Sequence, residues 1–411
     1  LISAAEASSD VHGAQLLRAL RGLVSPGETL EAFGAGGSRL RAEGLEAGVD
    51  ARDLLAMGSV EVLGRLPKIR KALVQLESMA RERRPEIAVL IDYPEFHLRL
   101  AARLKKLGIP VVCFIPPKLW VWRKGRIRKL RDLFAKVLCI LPFEEAFYAR
   151  EGMPVSYVGN PLIDELPWSL TREEARRELG WSESDLGVAL LPGSRPAELD
   201  RHFEVMLQAT ASLVPELRAR GKLAPGSQLK VVIPLAETTD LARWQGRLSE
   251  GRWSRDLPRE WSDGVRVLLS QGGAHRALRA ADAGIVKSGT STLEAGLLGL
   301  PHVVMYRPSA VTAFLFQHLV RYRDPVALVN LMKRDSAGRP IQVLPELLCE
   351  QATPGALAKA MSPMLWDEAY RNTLARELSE VRRVVFGGGD RPISPSLRAA
   401  EEVRLVWSAG R

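Results

Sequence analysis

"AGIVKSGTSTLEAGLLGLPHVVMYR", residues 283–307, decides how the rest of the chain is read. An apolar, β-branched run ends near Lys287. Small hydroxyl residues and Gly289 follow, then an apolar helix-like run carrying one acid, Glu294. Gly299 and Pro301 stop that run, and "HVVMYR" starts another strand. Strand, turn, helix, glycine and strand in this order predict a βαβ unit with parallel strands. At such a turn the helix N-terminus offers unpaired N–H groups and partial positive charge, which suits an anion. Gly289 lets a phosphate approach the backbone, Ser288, Thr290, Ser291 and Thr292 add hydroxyls, and Glu294 can accept from two ribose hydroxyls. An ordinary capped helix with an acid near its dipole has the same residues.

The alternation extends outward. Apolar runs at 86–92 ("EIAVLID"), 110–116, 136–142, 187–194, 229–235 and 264–270 are separated by amphipathic stretches such as "HLRLAARLKKLG". This pattern predicts parallel sheets covered on both faces. A proline-rich polar stretch near 158–180 is the expected boundary, with Thr171 and Glu174 forming a capping box where the next helix starts. The expectation is therefore an α/β protein of two Rossmann-like domains facing a cleft. Residues 1–165 form the first domain and 166–375 the second, while 376–411 form a helical segment packing back on the first. Ligands of such sheets sit beyond the carboxyl ends of the strands.

Three further strand ends carry candidate chemistry. "LLPGSRPAEL" (190–199) places Ser194 and Arg195 before a helix, and a guanidinium there can grip two phosphate oxygens at once. "LIDYPEFHLRLA" (90–101) ends a strand on Asp92, a candidate general base with Glu95 close by. "AEASSDVHGA" (5–14) adds Glu6 and Asp10 as further catalytic acids, beside Ser8 and His12. No Asp-x-Asp pair and no His-x-x-x-His spacing occurs, so no metal site and no cofactor is expected.

The 411 residues are 46% hydrophobic and 26% charged, the balance of a globular protein with a full core. Three scattered cysteines argue against a disulfide framework and for a reducing cytosol. No apolar run is long enough for a spanning helix, and no secretory signal pattern opens the sequence. The net charge of +10 points to an anionic partner. Two segments concentrate it. "KLWVWRKGRIRKLRDL" (118–133) sets Trp120, Trp122 and Arg123 among basic residues, which suits nucleic acid, an anionic bilayer or a solvated face equally. "DLLAMGSVEVLGRLPKIRKAL" (53–73) combines Leu63 and Leu66 with Lys68 and other cations, which fits either a bilayer surface or a core helix.

Ten motifs in register resemble the lipid-A-disaccharide synthases, a glycosyltransferase family. They are "AEASSDVHGA", "FGAGGSRLRAEG", "LAMGSVEVLGRLPKI", "IDYPEFHLRLA", "PPKLWVWRKGRIRKL", "LPFEEAFY", "YVGNPLID", "LLPGSRPAEL", "SGTSTLEAGLLGLPHVVMYR" and "ALVNL". The resemblance implies the two-domain GT-B fold and a metal-independent hexosyl transfer. The donor would be UDP-2,3-diacylglucosamine and the acceptor 2,3-diacylglucosamine 1-phosphate, joined as a β-1,6 disaccharide. It implies that Ser194, Arg195, Ser288, Gly289, Thr290, Ser291 and Glu294 bind UDP. Leu63, Leu66, Lys68, Trp120, Trp122, Arg123 and Asn330 would face the acceptor or the membrane. The cytoplasmic face of the inner membrane is the expected location, with no nucleic-acid partner, and the reading allows a homodimer. "MGSVEVLGRL" and "PPKLWVWR" argue against a UDP-sugar 2-epimerase or the peptidoglycan N-acetylglucosaminyltransferase. The chain departs from the family at Ala5 and Ser9, where glycines are usual, at Asn160 in place of histidine, and at Cys349 in place of glutamine.

Overall fold

The computed structural model describes residues 1–54, 61–120, 127–308 and 324–409, and gives only the backbone of 7, 53 and 61–66. The expected Trp122 and Arg123, and the side chains of Leu63 and Leu66, lie outside the described residues.

The chain forms two compact units, Leu1–Glu165 with Val385–Arg411, and Leu166–Val384. Thr171 opens the first helix of the second unit by accepting from the Glu174 N–H at 3.2 Å. The Glu174 carboxylate accepts from the Thr171 N–H at 2.9 Å, completing the capping box. The chain returns to the first unit at Val385, later than the expected 376. The helix Glu368–Val385 belongs largely to the second unit because Leu374, Leu378 and Val381 are buried there. Lys333 also pairs with its Glu377 and Glu380 at 2.6 and 2.5 Å.

In the first unit seven parallel strands run in the order β3-β2-β1-β4-β5-β6-β7. They are β1 (Ile2–Ala4), β2 (Phe33–Gly36), β3 (Glu46–Asp50), β4 (Ala88–Ile91), β5 (Val111–Phe114), β6 (Lys136–Cys139) and β7 (Val155–Tyr157). Their residues alternate between two cores. Ala88 and Leu90 join Phe33, Leu76 and Leu100 on one face. Val89 and Ile91 join Leu16, Leu17, Ala399 and Val403 on the other. Burial on both faces explains why the sequence shows unbroken apolar runs here. The returning helix Pro395–Ala409 closes the second face, and its Glu402 pairs with Lys136 on β6.

In the second unit six parallel strands run β10-β9-β8-β11-β12-β13. They are β8 (Gly187–Leu191), β9 (Leu229–Leu235), β10 (Val265–Gln271), β11 (Ala283–Lys287), β12 (His302–Tyr306) and β13 (Glu346–Leu348). Both sheets reverse direction of winding once, between β1 and β4 in the first and between β8 and β11 in the second. A doubly wound sheet opens a crevice at that reversal, and ligands bind there.

Candidate active site

Both reversal points carry the residues singled out by sequence. In the first unit β4 runs straight into Asp92 and Tyr93, with φ of 54° and 48°. Two successive non-glycine residues in the left-handed region cost about 1–3 kcal/mol each, and such strain concentrates at functional sites. The local structure holds the turn from several sides. The Asp92 N–H donates to the Phe114 carbonyl at 2.9 Å. The Tyr93 hydroxyl donates to the Leu54 carbonyl at 3.0 Å. The buried His97 donates through Nδ1 to the Asp92 carbonyl, while its Nε2 accepts from the Ser3 hydroxyl at 2.9 Å. Burial pushes His97 down to about 4, so it is a neutral strut. The Asp92 carboxyl is itself raised by burial, against the opposing pull of the Tyr93 N–H, Lys118 and His12. Of burial and an acidic neighbour such as Glu95, the two expected causes, burial is the one that acts, and Glu95 is exposed.

The other expected acids of this unit, Asp10 and Glu6, stand in different surroundings. Asp10 is buried and accepts from the backbone N–H groups of Gly37, Arg39 and Leu40 at 2.6, 3.0 and 3.3 Å. It holds the turn after β2, where sequence suggests a reserve catalytic acid. A Cβ on Gly37 would lie 2.6 Å from this carboxylate, which accounts for the glycine. Glu6 is exposed at the start of the helix Ala7–Gly22. Ser9, where the resemblance implies glycine, turns its hydroxyl back to the Glu6 N–H and carbonyl at 2.8 and 2.9 Å, so its polar group is satisfied locally.

Trp120, expected at the acceptor or membrane, is half-buried and packs its ring edge-on against Phe143. Its indole N–H donates to Glu144 at 3.0 Å. Glu144 is fully buried and pushed up to about 7 by that burial, with the Trp120 and Leu141 N–H groups opposing. "LPFEEAFY" thus pins the "PPKLW" segment, aided by the Tyr148 hydroxyl on the Pro117 carbonyl at 2.6 Å. Lys68 is exposed.

In the second unit the turn after β8 contains Gly193 at φ 122°, where a Cβ would collide with Glu198 at 2.5 Å. Ser194 and Arg195 are exposed just before the helix Pro196–Ala211. Pro196 at the first helical position suits the missing donor there. After β11, Ser288 continues the sheet through its N–H to the Met305 carbonyl at 2.8 Å. The helix Thr290–Leu297 then begins, with Thr290 exposed and Ser288, Gly289 and Ser291 partly so. Thr292 is buried, and its hydroxyl donates back to the Gly289 carbonyl at 2.8 Å, so that donor is already used within the turn. Glu294 lies one turn in, its carboxylate 3.4 Å from His275 Nε2.

Sequence reasoning misses a buried group behind these turns. Glu198 and His202 stand four apart on one helix face and reach the ends of three strands. Glu198 accepts from the Ser194 N–H at 3.2 Å and pairs with Lys287 at 2.9 Å. Burial would raise its carboxyl, yet Lys287 and the Ser194 N–H outweigh burial and hold it below the usual range. His202 donates through Nδ1 to the Pro192 carbonyl at 2.8 Å and accepts from the Arg307 N–H at 3.1 Å. Burial lowers its basicity, consistent with that neutral tautomer. An acid and a histidine at i and i+4 after "PGSR" are the available signal.

Asn330, expected to face the acceptor or membrane, is fully buried. Its amide donates to the Leu344 carbonyl and to Glu346, both at 2.8 Å, and its oxygen accepts from the Val343 and Leu344 N–H groups. It staples the approach to β13. Among the described residues no group of three or more His, Cys, Asp or Glu could hold a metal ion. Among them, too, no helix is long and apolar enough to cross a membrane.

Comparison with known proteins bears on the fold and the family. Among solved structures, UDP-GlcNAc 2-epimerase from Neisseria meningitidis, bound to UDP-GlcNAc, superposes with a TM-score of 0.56 at 11% identity, covering 99% of this chain and 98% of the other. MurG of Acinetobacter baumannii gives 0.56 at 13% identity, covering 98% of each chain. These likenesses establish the GT-B fold. The lipid-A-disaccharide synthase of Myxococcus xanthus is 39% identical over 411 residues, all of this chain and 98% of the relative. That of Anaeromyxobacter sp. strain K is 43% identical over 403 residues, 98% of this chain and 96% of the relative. The sequence model of the family described as lipid-A-disaccharide synthetase matches residues 1–242 and 247–383. The chain therefore belongs to the lipid-A-disaccharide synthetase family and is a hexosyltransferase of the GT-B fold.

Proposed function

We propose that this enzyme transfers 2,3-diacylglucosamine from UDP-2,3-diacylglucosamine to the 6-hydroxyl of 2,3-diacylglucosamine 1-phosphate, with inversion. The observation that carries the mechanism is Asp92, a desolvated carboxyl on a strained turn at the reversal point of the first sheet. As the acceptor O6 bonds to the anomeric carbon, its proton passes to the Asp92 carboxylate. The bond from the anomeric carbon to the diphosphate breaks in the same displacement, and its electron pair leaves with UDP. One direct attack inverts an α-linked donor to a β linkage, so one base suffices. Arg195 and the helix start at Ser288–Ser291 take the growing diphosphate charge, with Ser194 beside them, and Glu294 holds the ribose. No metal cofactor has a part in this account, and a chelator should leave turnover unchanged.

Both proposed substrates carry acyl chains, which supports peripheral docking on the cytoplasmic face of the inner membrane through Leu63, Leu66 and the exposed Lys68 of the 53–73 stretch, whose ends at Leu54 and Leu73 are core. Replacing Leu63 and Leu66 with serine should reduce binding to anionic vesicles with the melting temperature retained. Unchanged vesicle binding would remove that docking surface from the account. The test of the reaction is direct. Purified protein with the UDP-diacylglucosamine donor and the 1-phosphate acceptor should yield disaccharide 1-phosphate and UDP in equal amounts. Product from UDP-GlcNAc alone, with none from the acylated pair, would overturn the substrate assignment.

A further inference from the structure

Lys287 ends β11 at the mouth of the proposed diphosphate site, and its surroundings differ from those of a surface lysine. The side chain is largely buried, 19% exposed, and its partner Glu198 is 11% exposed. The ammonium stands 5.6 Å from the centre of the Tyr306 ring, on a face that favours cations. It also lies 3.6 Å from where a Cβ on Gly289 would sit. The charge is therefore poised over the bare backbone at which the helix Thr290–Leu297 begins. A lysine ammonium has three donors. Glu198, at 2.9 Å, takes one of them.

Glu198 explains why the ammonium waits there. A long flexible cation loses rotamer freedom when fixed, and an ion pair with a partly buried acid offsets that cost. The same carboxylate accepts the Ser194 N–H, so one acid ties the turn after β8 to the cation after β11. Both anion-binding turns are thereby held in register before any ligand arrives. Preorganisation of this kind saves the reorganisation that a mobile lysine would need.

We propose that Lys287 is a direct ligand of the nucleotide diphosphate, held in place by Glu198, and that it works together with Arg195. The assignment rests on the nucleotide site proposed above and adds to it a second side-chain cation. The tests use the full chain titrated with UDP and with uridine, which has no phosphate. Lys287→Gln, which can still donate one hydrogen bond to Glu198, should weaken UDP about tenfold or more and leave uridine unchanged. Lys287→Arg should restore most of the UDP affinity. If Lys287→Gln folds poorly, Glu198→Gln with Lys287→Gln removes both charges and keeps an amide pair, and it should show the same selective loss. Equal losses on UDP and uridine would make Lys287 merely structural and overturn the assignment. So would UDP binding within twofold of the parent. A parent protein that binds no UDP would overturn the nucleotide site itself, a distinct result.

Discussion

The two reversal points share one topology and differ in charge. At β1/β4 the groups are a carboxyl raised by burial, Asp92, and a neutral histidine, His97, on a strained turn. At β8/β11 they are two cations, Arg195 and Lys287, two helix starts, and a carboxyl held down by its lysine partner. Desolvation dominates the first site and ion pairing the second. The first environment suits taking a proton and the second suits holding a diphosphate. One backbone plan thus carries two electrostatic environments, set by the side chains around the strand ends.

The largest effect is expected at the first site. Asp92→Asn, nearly isosteric, should lower turnover about a hundredfold or more while UDP affinity stays near that of the parent. Single-turnover rates with UDP titration would show this. An Asn enzyme with most of its turnover would move the base to Glu6 or Asp10.

Acid should act on both units alike. His97 in the first unit and His302 in the second are fully buried, and burial brings each to about 4. The folded state therefore resists a proton that the unfolded chain takes up near 6.5. Their contribution is intact above pH 6.5 and is lost as pH falls toward 4, by roughly 3 kcal/mol for each. Denaturant melts at about pH 7 and about pH 4.5 would measure it, and equal stability at both would show that these histidines ionise freely in the fold.

Next in size, Arg195→Ala and Glu294→Ala should each weaken UDP by about 1–3 kcal/mol, as expected for hydrogen bonds to charged groups. Arg195→Ala should also slow transfer, because the diphosphate charge grows as the bond breaks. The smallest effect on chemistry is expected from Asp10→Asn. Its carboxylate serves only backbone N–H groups among the described residues, so stability should fall by about 1–2 kcal/mol with turnover of the folded protein unchanged. A large loss of turnover would return Asp10 to the catalytic group.

Much of this is legible in the sequence, and the exceptions have physical causes. The long β-branched strands, the capping box at Thr171 and the turn at Lys287–Thr290 each announce themselves locally. The strands "FGAG", "EAGVD", "VSY" and "ELL" do not, because they are short, glycine-bearing or poor in β-branched residues and are held by their neighbours. Asp92 and Arg195 stand out because an acid or cation just past a strand needs a reason, and Glu294 because it is the lone acid in an apolar helix. The duties of Asp10 and Asn330 stay hidden, since their partners lie 27–30 and 13–16 residues away. The Glu198–Lys287 pair spans 89 positions, from 198 to 287, and only the fold brings it together.

In the proposed reaction, nucleotide binding belongs to the β8/β11 reversal point and proton transfer to β1/β4. Amide hydrogen exchange of the full chain with and without UDP tests it most directly. The account predicts that UDP slows exchange across 193–199 and 288–295, and leaves 5–10 and 92–97 as they were. Protection confined to the segments around Glu6 and Asp92, with none at Arg195 or Glu294, would contradict it.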